Sequence, residues 1–264
     1  ALMEKQSNPL PWNKYRDRFI NEEKLEQGLL FWRKNSEKLK LARNRYGVPE
    51  EIIVAIAGIE THYGHNKGNV KVIEALKTLA FHYPKRSELF RLQLEHFLLL
   101  SQEESISLSE VRGSYAGAIG VAQFLPSSYR HYAVDFNGDG ERDLIGSASD
   151  AIGSIANYLT AYGWQRNQPI AVSAILEDST HAFGANDISK QFTLQHLQQQ
   201  GVRAIGVFSS STKAIPLVLE SETNKEYWLG FNNFYVITRY NQSVYYAMSV
   251  FQLGQHLKQN HINQ

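Results

Sequence analysis

Apolar residues recur at helical spacing along roughly the first two thirds of the chain, then at the shorter spacing of strands along much of the remainder. Tyr15, Phe19, Ile20, Leu25, Leu29, Leu30, Trp32 and Leu39 predict two helices interrupted near Asn21-Glu22-Glu23, one of them ending before Tyr46-Gly47. Pro49 to Gly64 reads PEEIIVAIAGIETHYG, and although its run is rich in β-branched residues, Pro49 suits a first helical position and Glu50-Glu51 complement the amino-terminal dipole. A helix is therefore expected there, stopped by Gly64. Val70 to His82, Pro84 to Gln102 and Ser149 to Gly163 predict further amphipathic helices, and Pro126-Ser127 opens a short one through Tyr129. From about Arg166 the pieces Ile170 to Leu176, Ile215 to Leu219, Tyr227 to Phe231 and Phe234 to Tyr240 predict strands, with a helix from Phe192 to Gln200 closed by Gly201. Val244 to His256 returns to a helical pattern that would pack back on the amino-terminal helices.

The run from Pro49 carries one residue that needs a reason. Ile52, Ile56 and Glu60 lie above one another at i, i+4, so Glu60 projects from an apolar face. Desolvation raises a carboxyl pKa, which is how a glutamic acid stays protonated near neutral pH and serves as a general acid. A helix-terminal Glu that turns to solvent or pairs with Lys67 is the other reading of the same residue.

Composition narrows the field. With 264 residues and 43% hydrophobic content the chain can bury a sizeable core, and 27 basic against 26 acidic residues leave a net charge of +1, which gives no basic field for nucleic acid. Its 14 Tyr, 13 Phe and 4 Trp suit carbohydrate rings as well as cores. Without cysteine there is neither a disulfide nor thiolate chemistry. No stretch approaches the ~20 apolar residues of a membrane span, and the start ALMEKQSNP has no signal-peptide pattern, so an exported protein would have had its signal or anchor removed.

DFNGDGERDLIGSASD places Asp135, Asn137 and Asp139 at positions 1, 3 and 5, Gly140 at 6 and Glu141 at 7, the front half of an EF-hand loop around a hard cation. Position 12 is Gly146, which has no carboxylate, and Asp150 is the available substitute. A solvated acidic turn is the competing reading; a bound Ca²⁺ would be structural. Other chemistries find less support. A two-carboxylate glycosidase needs a second acid facing Glu60, and the nearest acidic cluster is taken up by this loop. His62 has no second histidine in an HExxH arrangement, and Ser114 in GSYAG is not in a nucleophile elbow.

Five segments together carry a resemblance: GIETHYG (58–64), GSYAGAIGVAQFLPSS (113–128), the loop from Asp135, AIGSIANYL (151–159) and NFYVITRYN (233–241). In their order, and over about Trp12 to Gln255, they resemble the lytic murein transglycosylase B family. The resemblance implies an α+β, predominantly α fold: a lysozyme-like helical core at 49–165 with the EF-hand-like loop at 135–150, an α domain from 1–48 and 241–264, and a small β-rich domain at 166–240. It implies a peptidoglycan lytic transglycosylase in which Glu60 protonates the bond between N-acetylmuramic acid and N-acetylglucosamine, then takes the proton of the C6 hydroxyl as a 1,6-anhydro ring closes. Ser114 and Gln123 would hydrogen-bond the sugar, with Phe124, Tyr158 and Tyr240 lining the cleft, and Asn233 and Tyr15 completing it. For the aromatic residues, core packing is the alternative. Leu125 stands where the family motif has Met, and Leu89 where an aromatic is common. A hydrolytic muramidase and a non-catalytic glycan-binding protein are the other expectations. The implied partners are glycan strands and proteins of cell-wall synthesis or remodelling, for a periplasmic monomer whose precursor carries an outer-membrane anchor.

Overall fold

The structure is a computed structural model and describes residues 10–177 and 186–263. Its amino-terminal helical pattern resolves into three pieces, α1 (Trp12–Arg16), α2 (Glu22–Lys34) and α3 (Ser36–Tyr46), where the spacing predicts two. Asn35 makes the additional break: its backbone leaves helical geometry (φ −114°, ψ 20°) and its side-chain amide donates to the Phe31 carbonyl at 2.8 Å, beside its own backbone N–H at 3.1 Å. Gly47 closes α3 in the left-handed region at φ 74°, its N–H bonded to the Arg43 carbonyl.

The expected helix follows as α4 (Glu50–Thr61), and its residues Ile52 to Gly58 are all buried. Burial on every side explains how a β-branched sequence is held helical: packing outweighs a modest propensity deficit. Glu50 and Glu51, also buried, are both paired. Glu50 receives the Trp32 indole N–H at 2.9 Å and the Arg43 guanidinium at 3.1 Å, while Glu51 meets Lys258 at 3.0 Å.

Next come β1 (Val70–Lys71), α5 (Val72–His82), α6 (Ser87–Glu103), β2 (Arg112–Gly113), α7 (Pro126–Tyr132) and α8 (Ala148–Ala161). β1 and β2 pair antiparallel with Val70 opposite Gly113. Neither strand was expected, since two residues are too few to show an alternation. α8 begins at a Ser147 cap, whose hydroxyl accepts from the Asp150 N–H at 3.2 Å.

The remaining elements are β3 (Ala171–Leu176), β4 (Phe192–Thr193), α9 (Leu194–Gln199), β5 (Val202–Ala204), β6 (Lys213–Glu220), β7 (Lys225–Gly230), α10 (Asn232–Tyr240) and α11 (Val244–Ile262). The strands form an antiparallel sheet in the order β4-β6-β7-β3-β5, with Ile215 opposite Gly230 and Glu220 opposite Lys225. Leu197, Val202, Ala214, Leu229 and Phe231 make its core. Two expectations are corrected here. Phe192-Thr193 pairs with β6 before the helix starts, and the Thr193 hydroxyl then caps α9 by accepting from the His196 N–H. Phe234 to Tyr240, expected as a strand from its aromatic and β-branched content, is helix α10. Phe234 and Ile237, one turn apart, are both fully buried, and Gly230 makes room for the Phe234 ring, since a Cβ there would come within 2.8 Å of it.

The described residues fall into two compact units, one within 1–22 and 167–253, the other within 23–166 and 254–264. The class is α+β and mainly helical, as expected.

Candidate active site

Glu60 is the penultimate residue of α4 and is half-buried, less enclosed than the apolar run around it suggests. The chain leaves the helix through two successive non-glycine residues in the left-handed region, His62 (φ 51°) and Tyr63 (φ 61°). Such a backbone costs about 1–3 kcal/mol per residue and needs surrounding contacts to hold it. Those contacts are present. The Tyr63 hydroxyl donates to the Lys24 carbonyl at 2.7 Å, and its ring lies on Gly58, where a Cβ would meet ring atoms at 2.6 Å. Burial raises the Tyr63 pKa, so the phenol remains a donor. Lys24 in turn donates from Nζ to the Gly58 carbonyl at 2.7 Å. The residues GIETHYG are thus explained largely by what they lock: Gly58 admits Tyr63, and Tyr63 fixes the turn after Glu60.

Thr61 carries the lock outward. Its hydroxyl donates within reach of the Ala57 carbonyl (3.2 Å) and the Val121 carbonyl (3.1 Å) and accepts from the Gly64 N–H (3.0 Å), fastening the end of α4 to the glycine-rich loop 113–124. That loop is stitched by bridges from Ile119 to Gly113 and to Phe124, and by the Val121 N–H on the Leu144 carbonyl at 2.8 Å. Gly120 stands at φ 73°, and a Cβ on it would lie 2.2 Å from the Leu144 carbonyl oxygen, so no other residue fits there.

Two expected binding residues sit in this loop. The Ser114 hydroxyl oxygen accepts from the Ala116 and Ala118 N–H groups at 3.2 and 3.0 Å, which occupies its lone pairs and leaves its proton to give. Gln123, at φ 49°, spends its amide N–H groups on the Lys67 and Gly120 carbonyls at 3.1 and 2.9 Å, which leaves its side-chain oxygen to accept. Lys67, the cation that the sequence offers to Glu60, donates to the Ile145 carbonyl at 2.7 Å.

Phe124 and Tyr158 are brought together at 5.3 Å between ring centroids. Tyr158 also meets Tyr132 at 4.9 Å and Tyr162 at 4.6 Å, and the Tyr132 hydroxyl donates to that of Tyr162 at 3.2 Å. The Tyr132 pKa is pushed up to about 12, first by that hydrogen bond and then by burial. Tyr132 and Tyr162 went unnoticed in the sequence, although Tyr162 stands at i+4 from Tyr158, the spacing that stacks side chains on a helix.

Tyr15, Asn233 and Tyr240 belong to the other unit. Tyr15 packs in a ring cluster with Phe19 at 5.4 Å and Tyr245 at 5.5 Å. Asn233 is fully buried and donates to the Gln168 carbonyl at 3.0 Å, and Tyr240, half-buried at the end of α10, stacks with Tyr246 at 6.5 Å.

The acidic loop closes on Asp150. Fully buried in the first turn of α8, this carboxylate accepts from the Phe136 and Asn137 N–H groups on one oxygen (2.9 and 3.3 Å) and from the Asp143 N–H on the other (3.0 Å). Asp135 accepts from the Gly138, Asp139 and Gly140 N–H groups, and these bonds hold its pKa below the ordinary value, Gly140 contributing most. Asp135, Asp139 and Asp150 bring carboxylate oxygens within 4.8 Å of one another. That spacing and an all-oxygen donor set fit a hard cation such as Ca²⁺, whose ligands lie about 2.3–2.6 Å from the ion. Asn137 gives its amide to Asp139 at 2.6 Å, and the Glu141 side chain is exposed and outside the three-carboxylate group, its backbone N–H bonded to Asp139.

A carboxyl at a locked helix end, a glycine-rich loop tied to that end through Thr61 and a cluster of aromatic rings are the candidate features of the site. A family model described as a transglycosylase SLT domain matches residues 1–255, and the chain belongs to that family. It is 42% identical over 245 residues to membrane-bound lytic murein transglycosylase B of Escherichia coli strain K12, spanning 92% of this chain and 66% of that protein. The solved lytic transglycosylase Slt35 of E. coli, in complex with calcium, matches with a TM-score of 0.90 at 40% identity, covering 97% of this chain and 81% of that one. SltB3 of Pseudomonas aeruginosa, in complex with NAG-anhNAM-pentapeptide, matches with a TM-score of 0.86 at 33% identity, covering 95% of this chain and 67% of that one. The helical core is therefore lysozyme-like, and the chain spans just under two thirds of the length of the curated relative it matches. No helix among the described residues is long and apolar enough to cross a membrane.

Proposed function

We propose that the protein is a peptidoglycan lytic transglycosylase that cleaves the β-1,4 bond from N-acetylmuramic acid to N-acetylglucosamine, with Glu60 as acid and then base. The observation that carries this reading is the setting of Glu60, half-open at the end of a buried helix and locked by Thr61 and Tyr63. A carboxyl so placed can reach a ligand without moving its support, which is what a positioned proton donor requires. In the first step the Glu60 proton passes to the glycosidic oxygen, the C1–O bond breaks, and the sugar's own acetamido oxygen stabilises C1. In the second step the Glu60 carboxylate removes the proton of the C6 hydroxyl, whose oxygen bonds to C1. The ring closes as 1,6-anhydro-N-acetylmuramic acid, and Glu60 regains its proton. One carboxyl suffices, and the loop aspartates, already engaged with backbone N–H groups, are not called upon. Ser114 as donor and Gln123 as acceptor complement the carbonyl and the N–H of an acetamido group, and Phe124 with Tyr158 supplies an apolar wall. Tyr240, Asn233 and Tyr15 are proposed as further substrate-binding residues.

The reading extends to Ca²⁺ held by Asp135, Asp139 and Asp150, with Asn137 and Glu141 at the remaining loop positions. There it would neutralise the gathered carboxylates and act structurally, not in catalysis. The three-part division into 1–48 with 241–264, 49–165 and 166–240, a periplasmic location with an outer-membrane anchor in the precursor, a monomeric state and an association with cell-wall synthesis proteins belong to the same proposal. Digestion of purified sacculi followed by mass spectrometry tests it. Glu60→Gln should fold normally and release no anhydromuropeptides, and substantial release by that variant would overturn the assignment. Products one water heavier would instead identify a muramidase.

A further inference from the structure

A lysine is almost never buried without a partner, and Lys24 on α2 is only 9% exposed. Its Nζ lies 2.7 Å from the Gly58 carbonyl, a group in the last turn of α4 that also accepts from the His62 N–H at 3.0 Å. A cation at that end complements the helix dipole. The backbone of Lys24 is held as well, since its carbonyl accepts the Tyr63 hydroxyl. Lys24 is therefore fastened at both ends to the segment that presents Glu60. We propose that Lys24 is a positioning residue for Glu60, its buried ammonium fixing the last turn of α4 and favouring the carboxylate form of Glu60.

This rests on the reading of Glu60 as acid and base. Burial pulls the Lys24 pKa below its ordinary value, while the charges of Glu23 and then Glu60 hold it up. The attraction is mutual: whatever Glu60 does to keep the proton on Lys24, Lys24 does to keep Glu60 ionised. Proton donation to the glycosidic oxygen leaves Glu60 as a carboxylate, so the cation eases the first step and opposes the second. A residue that must perform both needs its proton affinity set between the two demands. Half-burial acts on one side of that balance and Lys24 on the other. Glu23 shares the cation and itself lies 3.7 Å from His62, so Glu60 feels only part of the field, and the neutral Tyr63 phenol adds no charge.

The test is kcat/KM against pH on soluble glycan strands for the wild type, Lys24→Gln, Lys24→Arg and Glu60→Gln, with folding followed by circular dichroism. Lys24→Gln retains a donor for the Gly58 carbonyl but not the charge. Its alkaline limb, where the acid form of Glu60 is lost, should move up by about one pH unit, the low end of what a nearby opposite charge does. Lys24→Arg should return the limb toward the wild-type position. An unmoved limb in Lys24→Gln overturns the proposal even if turnover falls, because a merely structural lysine lowers turnover without shifting the profile. Glu23→Gln, at an exposed side chain, supplies a second arm if Lys24→Gln does not fold: the limb should move to lower pH by a few tenths of a unit, and no movement overturns the proposal. An inactive Glu60→Gln beside an unmoved Lys24→Gln removes the present inference alone, whereas an active Glu60→Gln removes the catalytic reading beneath it.

Discussion

Asp150 offers a direct measure of how the acidic loop is held. Changing it to Asn keeps the size and replaces one accepting oxygen by an amide that can only donate. The two N–H groups of Phe136 and Asn137 meet one oxygen and the single N–H of Asp143 meets the other, so the amide will turn its NH₂ toward Asp143, sacrificing one bond rather than two. The loss is a hydrogen bond to a charged group, about 1.5–3 kcal/mol, plus a buried N–H without a partner, about 1–3 kcal/mol. Taking roughly 3–4 kcal/mol together, and roughly 2–4 °C per kcal/mol for a folding unit of this size, the unfolding midpoint should fall by roughly 6–16 °C. Scanning calorimetry in EDTA and high salt, which screens the repulsion of Asp150 by Asp135 and Asp139, isolates this contribution from that of a cation. With Ca²⁺ in hundredfold excess over its Kd, the wild type should gain about 2.7 kcal/mol over its EDTA value, and Asp150→Asn should gain less. A midpoint in EDTA within about 2 °C of the wild type would refute the reasoning about backbone capture, since even the smallest loss considered exceeds it. An identical wild-type midpoint in EDTA and in Ca²⁺ would remove the cation from the loop.

Gly58→Ala sets a methyl 2.6 Å from the Tyr63 ring, so the ring that locks the turn after Glu60 must shift. We expect about 1–3 kcal/mol of destabilisation, read as a lower urea midpoint, together with a loss of turnover; an unchanged midpoint would show that the ring can yield freely. His96 gives a pH dependence: burial, then Arg130 and His131, lower its pKa below 6.5, and the neutral ring accepts from the Arg130 guanidinium at 2.7 Å. The unfolded chain therefore binds a proton near the ordinary value while the folded one resists it, so stability is full above about 6.5 and declines as pH falls toward the folded pKa. His96→Gln should flatten the decline of the thermal midpoint between about pH 6.5 and 5, and an equally steep decline in the variant would assign it to other groups.

Much of the architecture could be read from periodicity wherever an element was long and one-sided. α4, α8 and α11 all announce themselves through apolar spacing, with Pro49 marking the start of the first, whereas the Ser147 cap of α8 lies two residues ahead of the expected start at Ser149. α10 did not, because NFYVITRYN has the aromatic and β-branched composition of a strand, and only the tertiary burial of Phe234, Val236 and Ile237 decides for a helix. β1, β2 and β5 span two or three residues and carry no signal. In the site the contrast is sharper. Glu60 stood out as a carboxylate in an apolar run, whereas Lys24 looked like any lysine on an amphipathic helix. Its importance comes from a carbonyl 34 residues away, which no local pattern encodes. Gln123 and Ser114 were singled out through motif, but the division of labour proposed for them, one accepting and one donating, follows only from which of their groups the backbone has already engaged.

The burial of α4 has one more consequence. Ligand-binding loops and active-site lids are drawn from segments that open early, so where such segments carry the reacting groups warming abolishes turnover before the fold gives way. Glu60 is mounted instead on a helix whose residues Ile52 to Gly58 are wholly enclosed. Its amides should be among the slowest in the molecule to exchange with deuterium, and they should do so only when the unit unfolds as a whole. Heat inactivation of this protein should then coincide with its melting curve.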